Sequence, residues 1–107
     1  MSGLHFDDHT AARIATDLWR ARRKADGAAV RHLDALRDRL AAAGLVFQDH
    51  DGLVVHAGTV LDVVAWEERP GLEHDVVVET VEPSVYCAGR PVQVGQVVVA
   101  RPVNTQR

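Results

Sequence analysis

The sequence predicts an α+β fold, in which an N-terminal helical hairpin is followed by a small β-domain of short strands. Three observations support this prediction. Apolar residues recur at helical spacing before Gly44, valine-rich segments fill the chain after it, and glycine or proline separates those segments. Helices first and short strands afterwards are typical of the α+β class.

The first helix is predicted from Thr10 to about Ala25. Asp7, Asp8 or Thr10 can cap its start, because short polar side chains accept hydrogen bonds from the first backbone N–H groups. The residues before and after the folded part, 1–9 and 101–107, are polar and predicted to be flexible. One face of this helix carries residues at i, i+3 and i+4 spacing, which are Ala11, Ile14, Ala15, Leu18, Trp19 and Arg22.

The second helix is predicted from Ala28 to Ala43, after an interruption at Asp26 and Gly27. Gly44 ends it as a C-terminal cap. One long helix bent at Gly27 is the alternative, since glycine inside a helix costs only about 1 kcal/mol. The apolar residues alternate in spacing between four and three, which is a heptad seam formed by Ala29, Leu33, Leu36, Leu40 and Ala43.

The two amphipathic helices predict a homodimer. Two such helices in each chain combine across a two-fold axis into a four-helix bundle, which buries both apolar faces. Residues 10–44 are therefore interpreted as a helical dimerisation region. Packing of the same faces on the chain's own β-domain is the alternative. The residues predicted to form the dimer are Ile14, Leu18, Trp19, Leu33, Leu36 and Leu40.

Strands are predicted for most of the chain from residue 45 to residue 100, which we interpret as the β-domain. Turn residues such as Asp51-Gly52, Pro70-Gly71 and Gly89 separate the segments. The predicted strands are residues 45–48, 53–56, 60–67, 76–81, 85–88 and 91–100, the last in two pieces split at Gly95.

Charge and composition argue against several classes of function. The 107 residues carry a formal net charge of −3, which disfavours nucleic acid and anionic membranes as partners. No apolar run approaches the roughly 18 residues of a membrane span, and the polar start does not resemble a signal peptide. We therefore expect a cytoplasmic protein, and the excess of arginine over lysine suggests a GC-rich bacterial genome.

The histidines and the single cysteine predict no metal site, cofactor or enzymatic activity. His5 and His9 lack a third ligand at zinc-site spacing. The segment 49–52, Asp-His-Asp-Gly, is better explained as a polar turn. Cys87 has no second cysteine and no local catalytic signature. Gly89 and Gly95 lack the lysine and following helix of a phosphate-binding loop.

Two segments resemble the GrpE family of nucleotide exchange factors. The first, residues 86–100 with the sequence YCAGRPVQVGQVVVA, has a Gly-Arg turn followed by a valine-rich closing strand. The second, residues 33–51 with the sequence LDALRDRLAAAGLVFQDHD, is similar to the last helix of that family and its first strand. The resemblance covers roughly the last three quarters of the chain. It implies a dimer whose helices form a bundle and whose β-domains splay outward, without the long N-terminal helix usual in the family.

The resemblance also implies a partner and the residues that contact it. Arg90 matches the turn arginine that is pressed against the nucleotide-binding domain of a DnaK-type chaperone ATPase, where the family promotes ADP release. Val99 matches an apolar contact of the closing strand, and Gln93 stands where a second basic residue is common. If the family resemblance is left aside, Arg90 is interpreted as a solvent-exposed turn residue and Val99 as a valine of the hydrophobic core. The chain departs from the family at Ser84 and Val85, which replace a Gly-Tyr pair, so a dimeric adaptor without exchange activity is the alternative.

Overall fold

Two helices precede six strands in the computed structural model, which describes residues 5–103 and confirms the α+β class. By their contacts the elements separate into two units, one with both helices and three strands, the other with the remaining three strands. Neither described helix is long and apolar enough to cross a membrane. The elements are α1 Asp8–Lys24, α2 Ala28–Ala42, β1 Leu45–Gln48, β2 Asp62–Arg69, β3 Val76–Glu82, β4 Ser84–Cys87, β5 Arg90–Gln93 and β6 Gln96–Pro102.

Local capping defines the two helices. The Asp7 side chain accepts a hydrogen bond of 2.7 Å from the backbone N–H of Thr10, so Asp7 is the N-cap of α1. Gly27 precedes α2 with a φ of 60°, a left-handed conformation that stops a continuous helix, so the alternative of one long helix is wrong. An ion pair joins Arg22 of α1 to Asp34 of α2.

The helices of the first unit pack on a three-stranded antiparallel sheet with the order β1-β4-β5. The helix α1 contacts all three strands, while α2 contacts β1. Small residues on α1 let the helix approach the sheet closely. The buried core of this unit consists of Ala11, Ala15, Leu45 and Val85, with Ile14, Leu40, Phe47, Cys87 and Val92 partly buried against it.

The second unit is built on β6, which lies between β2 and β3. The strand β2 runs parallel to β6 and β3 runs antiparallel to it. Alternate valines of β6, Val97 and Val99, are fully buried on one face, as expected for a central strand. They form a core with Val77, against which Val55, Leu61 and Val63 pack.

Several features differ from the sequence prediction. Residues 8–9 and 101–102, which were predicted to be flexible, belong to α1 and β6, because Asp7 caps the helix before residue 8 and β2 pairs with β6 as far as Pro102. The strand predicted at residues 53–56 is wrong, because pairing there is limited to one bridge between Val54 and Val76. A turn stabilised by the hydrogen bond from the His56 N–H to the Thr59 hydroxyl begins directly after it. The strands predicted as one β-domain at 45–100 also lie in two units, because β1, β4 and β5 pack beneath the helices.

Candidate functional site

The hairpin tip, which we define as residues 87–90 between β4 and β5, is a two-residue turn. Cys87 pairs with Arg90 at the ends of the strands, and Ala88 and Gly89 form the turn with φ values of 53° and 79°. Two successive positive φ angles are the pattern of a type I′ turn, whose twist matches that of the flanking strands. The backbone N–H of Ala88 also donates to the carbonyl of Gly44 at 2.9 Å. Arg90 is thus the first residue of β5 rather than part of the turn itself.

Ala88 is expected to strain this tip, because a left-handed conformation is unfavourable for any residue with a Cβ atom. We expect Ala88→Gly to raise the free energy of unfolding by about 0.5–1 kcal/mol. Urea denaturation of both proteins measures this difference. Gly89→Ala is the converse control and should destabilise, since the added Cβ meets no atom within 4 Å and only the backbone strain changes. Equal stability of Ala88→Gly and wild type would contradict the assigned turn.

Arg90 forms a bidentate ion pair with Asp8, the first residue of α1. Its Nη1 and Nη2 atoms donate to the two carboxylate oxygens of Asp8 at 2.7 Å and 3.1 Å. The two side chains are 59% and 55% exposed, so solvent and other molecules can approach both. The hydrogen bond from Arg90 lowers the pKa of Asp8, and the same bond raises the pKa of Arg90. The pair therefore adds to stability above the unfolded pKa of Asp8, and this contribution is lost as pH falls through the lower, folded pKa.

The fold explains why Arg90 meets Asp8. Arg90 lies directly opposite Cys87, and opposed residues of an antiparallel pair point to the same face of the sheet. Cys87 packs against the helix-covered core, so Arg90 is directed to the side on which α1 lies. Asp7 already serves as the helix cap, and its hydrogen bond from the Thr10 backbone lowers the pKa of Asp7. Asp8 is the acidic side chain that remains to pair with Arg90.

Gln93 and Val99, the other two predicted partner contacts, make their contacts within their own units. The side-chain amide of Gln93 donates to the hydroxyl of Thr16 at 3.0 Å, which joins β5 to α1. Val99 is fully buried in the core of the second unit, as its alternative interpretation required. Arg90 is the predicted contact that the structure leaves exposed.

The predicted dimer residues divide by burial within a single chain. Leu18 and Trp19 are buried, and Ile14 and Leu40 pack partly buried against the core of the first unit. Leu33 is also half-buried, whereas Leu36 is 45% exposed. No residue of α2 is fully buried, in contrast to the six buried residues of α1. Leu18 and Trp19 of α1 are therefore covered within a single chain, whereas α2 retains an apolar surface.

An apolar cavity of about 290 Å³ lies in the first unit. Cys87 lines it on the sheet side and His5 near the start of the described chain. The other lining residues are apolar, so the cavity offers few polar groups to orient a ligand. They are Phe6, Ala11, Ile14, Leu40, Ala43 and Leu45.

The Asp-His-Asp-Gly segment is a turn held to β3. Asp51 Oδ1 accepts hydrogen bonds from the hydroxyl and the backbone N–H of Thr80 at 2.6 Å and 2.8 Å, while the hydroxyl accepts from the His50 N–H. Burial lowers the pKa of His50, although the carboxylates of Asp49 and Asp51 oppose this effect. Within residues 5–103, no three histidine, cysteine or acidic side chains are grouped as metal ligands.

Sequence reasoning missed two surface features. It assigned the acids near residue 8 to helix capping, and nothing local to the sequence links Asp8 to a residue 82 positions away. It also overlooked Trp66 of β2, which is about half exposed and has the guanidinium of Arg101 stacked 4.7 Å from its ring centroid.

No protein-family model and no curated protein matches this chain. The chemistry available at the hairpin tip is recognition by an arginine. A guanidinium at the start of a strand next to a tight turn can bind a carboxylate or phosphate with two parallel hydrogen bonds, and the pair with Asp8 has this geometry.

Proposed function

We propose that this protein is a GrpE-like nucleotide exchange factor, a co-chaperone that promotes ADP release from a DnaK-type ATPase in the bacterial cytoplasm. The observation that carries the proposal is the exposed guanidinium of Arg90 at a rigid hairpin tip, where the resemblance puts the family's partner contact. The order of two helices followed by strands agrees with it.

The mechanism is a difference in affinity rather than chemistry. The factor binds the open nucleotide-binding cleft of the ATPase better than the closed one, and this preference weakens the binding of ADP. A hundredfold faster release requires a difference of about 2.7 kcal/mol between the two states. In this role the chain makes and breaks no covalent bond and uses no cofactor or metal.

We further propose that the protein acts as a homodimer joined through α2. This helix has no fully buried residue, and Leu36 exposes an apolar side chain near the middle of it. Leu33 and Leu40 lie three and four positions away on the same helical stripe. Both are half-buried, and Leu40 also packs against the core of the first unit. A second copy of α2 would cover this stripe, so the interface would be narrower than a bundle that uses both helices.

Stopped-flow fluorescence tests the exchange proposal. A labelled ADP is released from DnaK-type nucleotide-binding domains in the presence of wild type or Arg90→Ala. We expect wild type to accelerate release and Arg90→Ala to reduce the acceleration about tenfold or more, since arginines at the centre of an interface often dominate binding. Arg13→Ala removes an exposed arginine of α1 and is the matched control, expected to act like wild type. Equal acceleration by Arg90→Ala would exclude exchange through this tip.

A dimeric adaptor without exchange activity is the second candidate. It is favoured by the internal engagement of Gln93 and the burial of Val99, which remove two of the three contacts that the resemblance implies. A pull-down separates the candidates. An exchange factor recovers a DnaK-type ATPase that ATP releases, whereas an adaptor does not.

A further inference from the structure

We propose that the Asp8–Arg90 ion pair is an internal latch, in which the chain's own carboxylate occupies the guanidinium that an acidic group of the partner must engage. Docking then requires that Asp8 be displaced. This inference rests on the proposed function, because it concerns how the same hairpin tip becomes available.

The geometry of the pair supports competition rather than joint binding. The carboxylate of Asp8 accepts one hydrogen bond from each terminal nitrogen of Arg90, which is the bidentate arrangement of an arginine with a single carboxylate. Asp8 occupies the end of the guanidinium between the two terminal nitrogens, so a partner carboxylate that binds bidentately at this end must replace Asp8. Both side chains are more than half exposed, so the exchange needs no opening of the core.

Separating Asp8 from Arg90 costs little free energy. Ion pairs between exposed side chains contribute little to stability, because water solvates both charges once they separate. Asp8 remains favourable in the first turn of α1, where the helix dipole stabilises a negative charge without help from Arg90. Asp7 continues to cap the helix through its bond to Thr10, so the start of α1 stays ordered.

The arginine also keeps its position after release. Its backbone pairs with Cys87 in the hairpin, and the adjacent turn is held by the hydrogen bond from Ala88 to Gly44. The side chain alone moves. The latch therefore lowers the affinity for a partner without disturbing the rigid tip that presents Arg90.

Asp8→Asn tests the latch, because it removes the competing charge while keeping the shape of the side chain. An exposed ion pair of this kind is as populated as its open state or a few times more populated. Removing the pair should therefore tighten binding to an ADP-free DnaK-type nucleotide-binding domain about twofold to fivefold. Calorimetry measures the Kd at low and high salt. The gain should shrink at high salt, since screening weakens the latch in wild type.

The matched control is Asp17→Asn. It makes the same charge change on an exposed residue of α1, nine residues along the helix and therefore about 13 Å away. A gain with Asp8→Asn that Asp17→Asn does not share supports the latch. An equal gain from both variants would show a general effect of net charge and overturn it.

A measurement without partner completes the test. The double-mutant cycle of Asp8→Asn and Arg90→Gln on unfolding should show favourable coupling, and its absence overturns the latch. The latch is also overturned if the two residues are coupled but Asp8→Asn binds the partner no more tightly than wild type. In that case Asp8 orients Arg90 for binding and does not compete with the partner. If wild type does not bind the ATPase, the exchange-factor proposal fails as stated. Binding that appears only with Asp8→Asn would still support the latch, and no binding by either protein would overturn both.

Discussion

Replacing Trp19 with alanine is expected to lower the free energy of unfolding by about 3–5 kcal/mol, the range for deleting a large buried aromatic side chain. Trp19 is only 5% exposed within a single chain, so its ring packs against the chain's own residues and not against a second copy. The guanidinium of Arg23 lies 4.7 Å from the ring centroid, and this cation–π contact adds a smaller contribution. Loss of the ring leaves a cavity at a site that is almost fully buried.

The matched variant is Leu36→Gln, which changes an exposed residue of the proposed dimer stripe. Its free energy of unfolding as a monomer should change by less than about 1 kcal/mol, since substitutions at exposed sites have small effects. Light scattering should detect the proposed dimer of wild type, and Leu36→Gln should be a monomer at the same concentration. If Trp19→Ala folded normally as a monomer while Leu36→Gln unfolded, Trp19 would be the interface residue and Leu36 the core residue, which would contradict our assignment.

The contrast between these residues shows where sequence reasoning ends. A heptad stripe and the face of a helix on a sheet have the same spacing, so the pattern identified Ile14, Leu18 and Trp19 as apolar positions without showing what covers them. Burial in one chain separates them from Leu36. The helix ends were predictable because Gly27 and Gly44 adopt positive φ, a local property that glycine alone accommodates easily.

Apart from residues 53–56, strand positions could be predicted closely from the sequence, whereas strand partners could not. The first strand was predicted at residues 45–48 and is observed there, because turn residues limit it on both sides. The pairing of β6 with both β2 and β3 joins segments far apart in the chain, and short valine-rich runs fit many such arrangements. The Asp8–Arg90 pair is equally non-local, so the candidate site was predicted as a residue and not as a pair.

The second large effect is expected at Thr80, which fastens the turn at residues 49–52 to β3. Thr80 is 3% exposed, and its hydroxyl donates to Asp51 Oδ1 at 2.6 Å while it accepts from the His50 N–H at 2.9 Å. Valine is close to threonine in size but lacks the hydroxyl, so Thr80→Val removes both of these bonds with little change in side-chain volume. We expect a loss of about 2–3 kcal/mol, because one bond involves a charged group and both lie in partly buried surroundings.

Thr59→Val is the control with the same chemistry in a different setting. The Thr59 hydroxyl accepts from the His56 N–H only three residues away, in an exposed turn, so its loss should cost about 1 kcal/mol or less. Hydrogen exchange should locate the difference, with faster exchange of the Gly52 N–H, which bonds to the Val77 carbonyl, in Thr80→Val only. The bonds to the Thr80 hydroxyl join residues 29 and 30 positions apart, and their loss weakens the attachment of the turn to β3. Equal destabilisation by the two variants would mean that the turn does not depend on this connection.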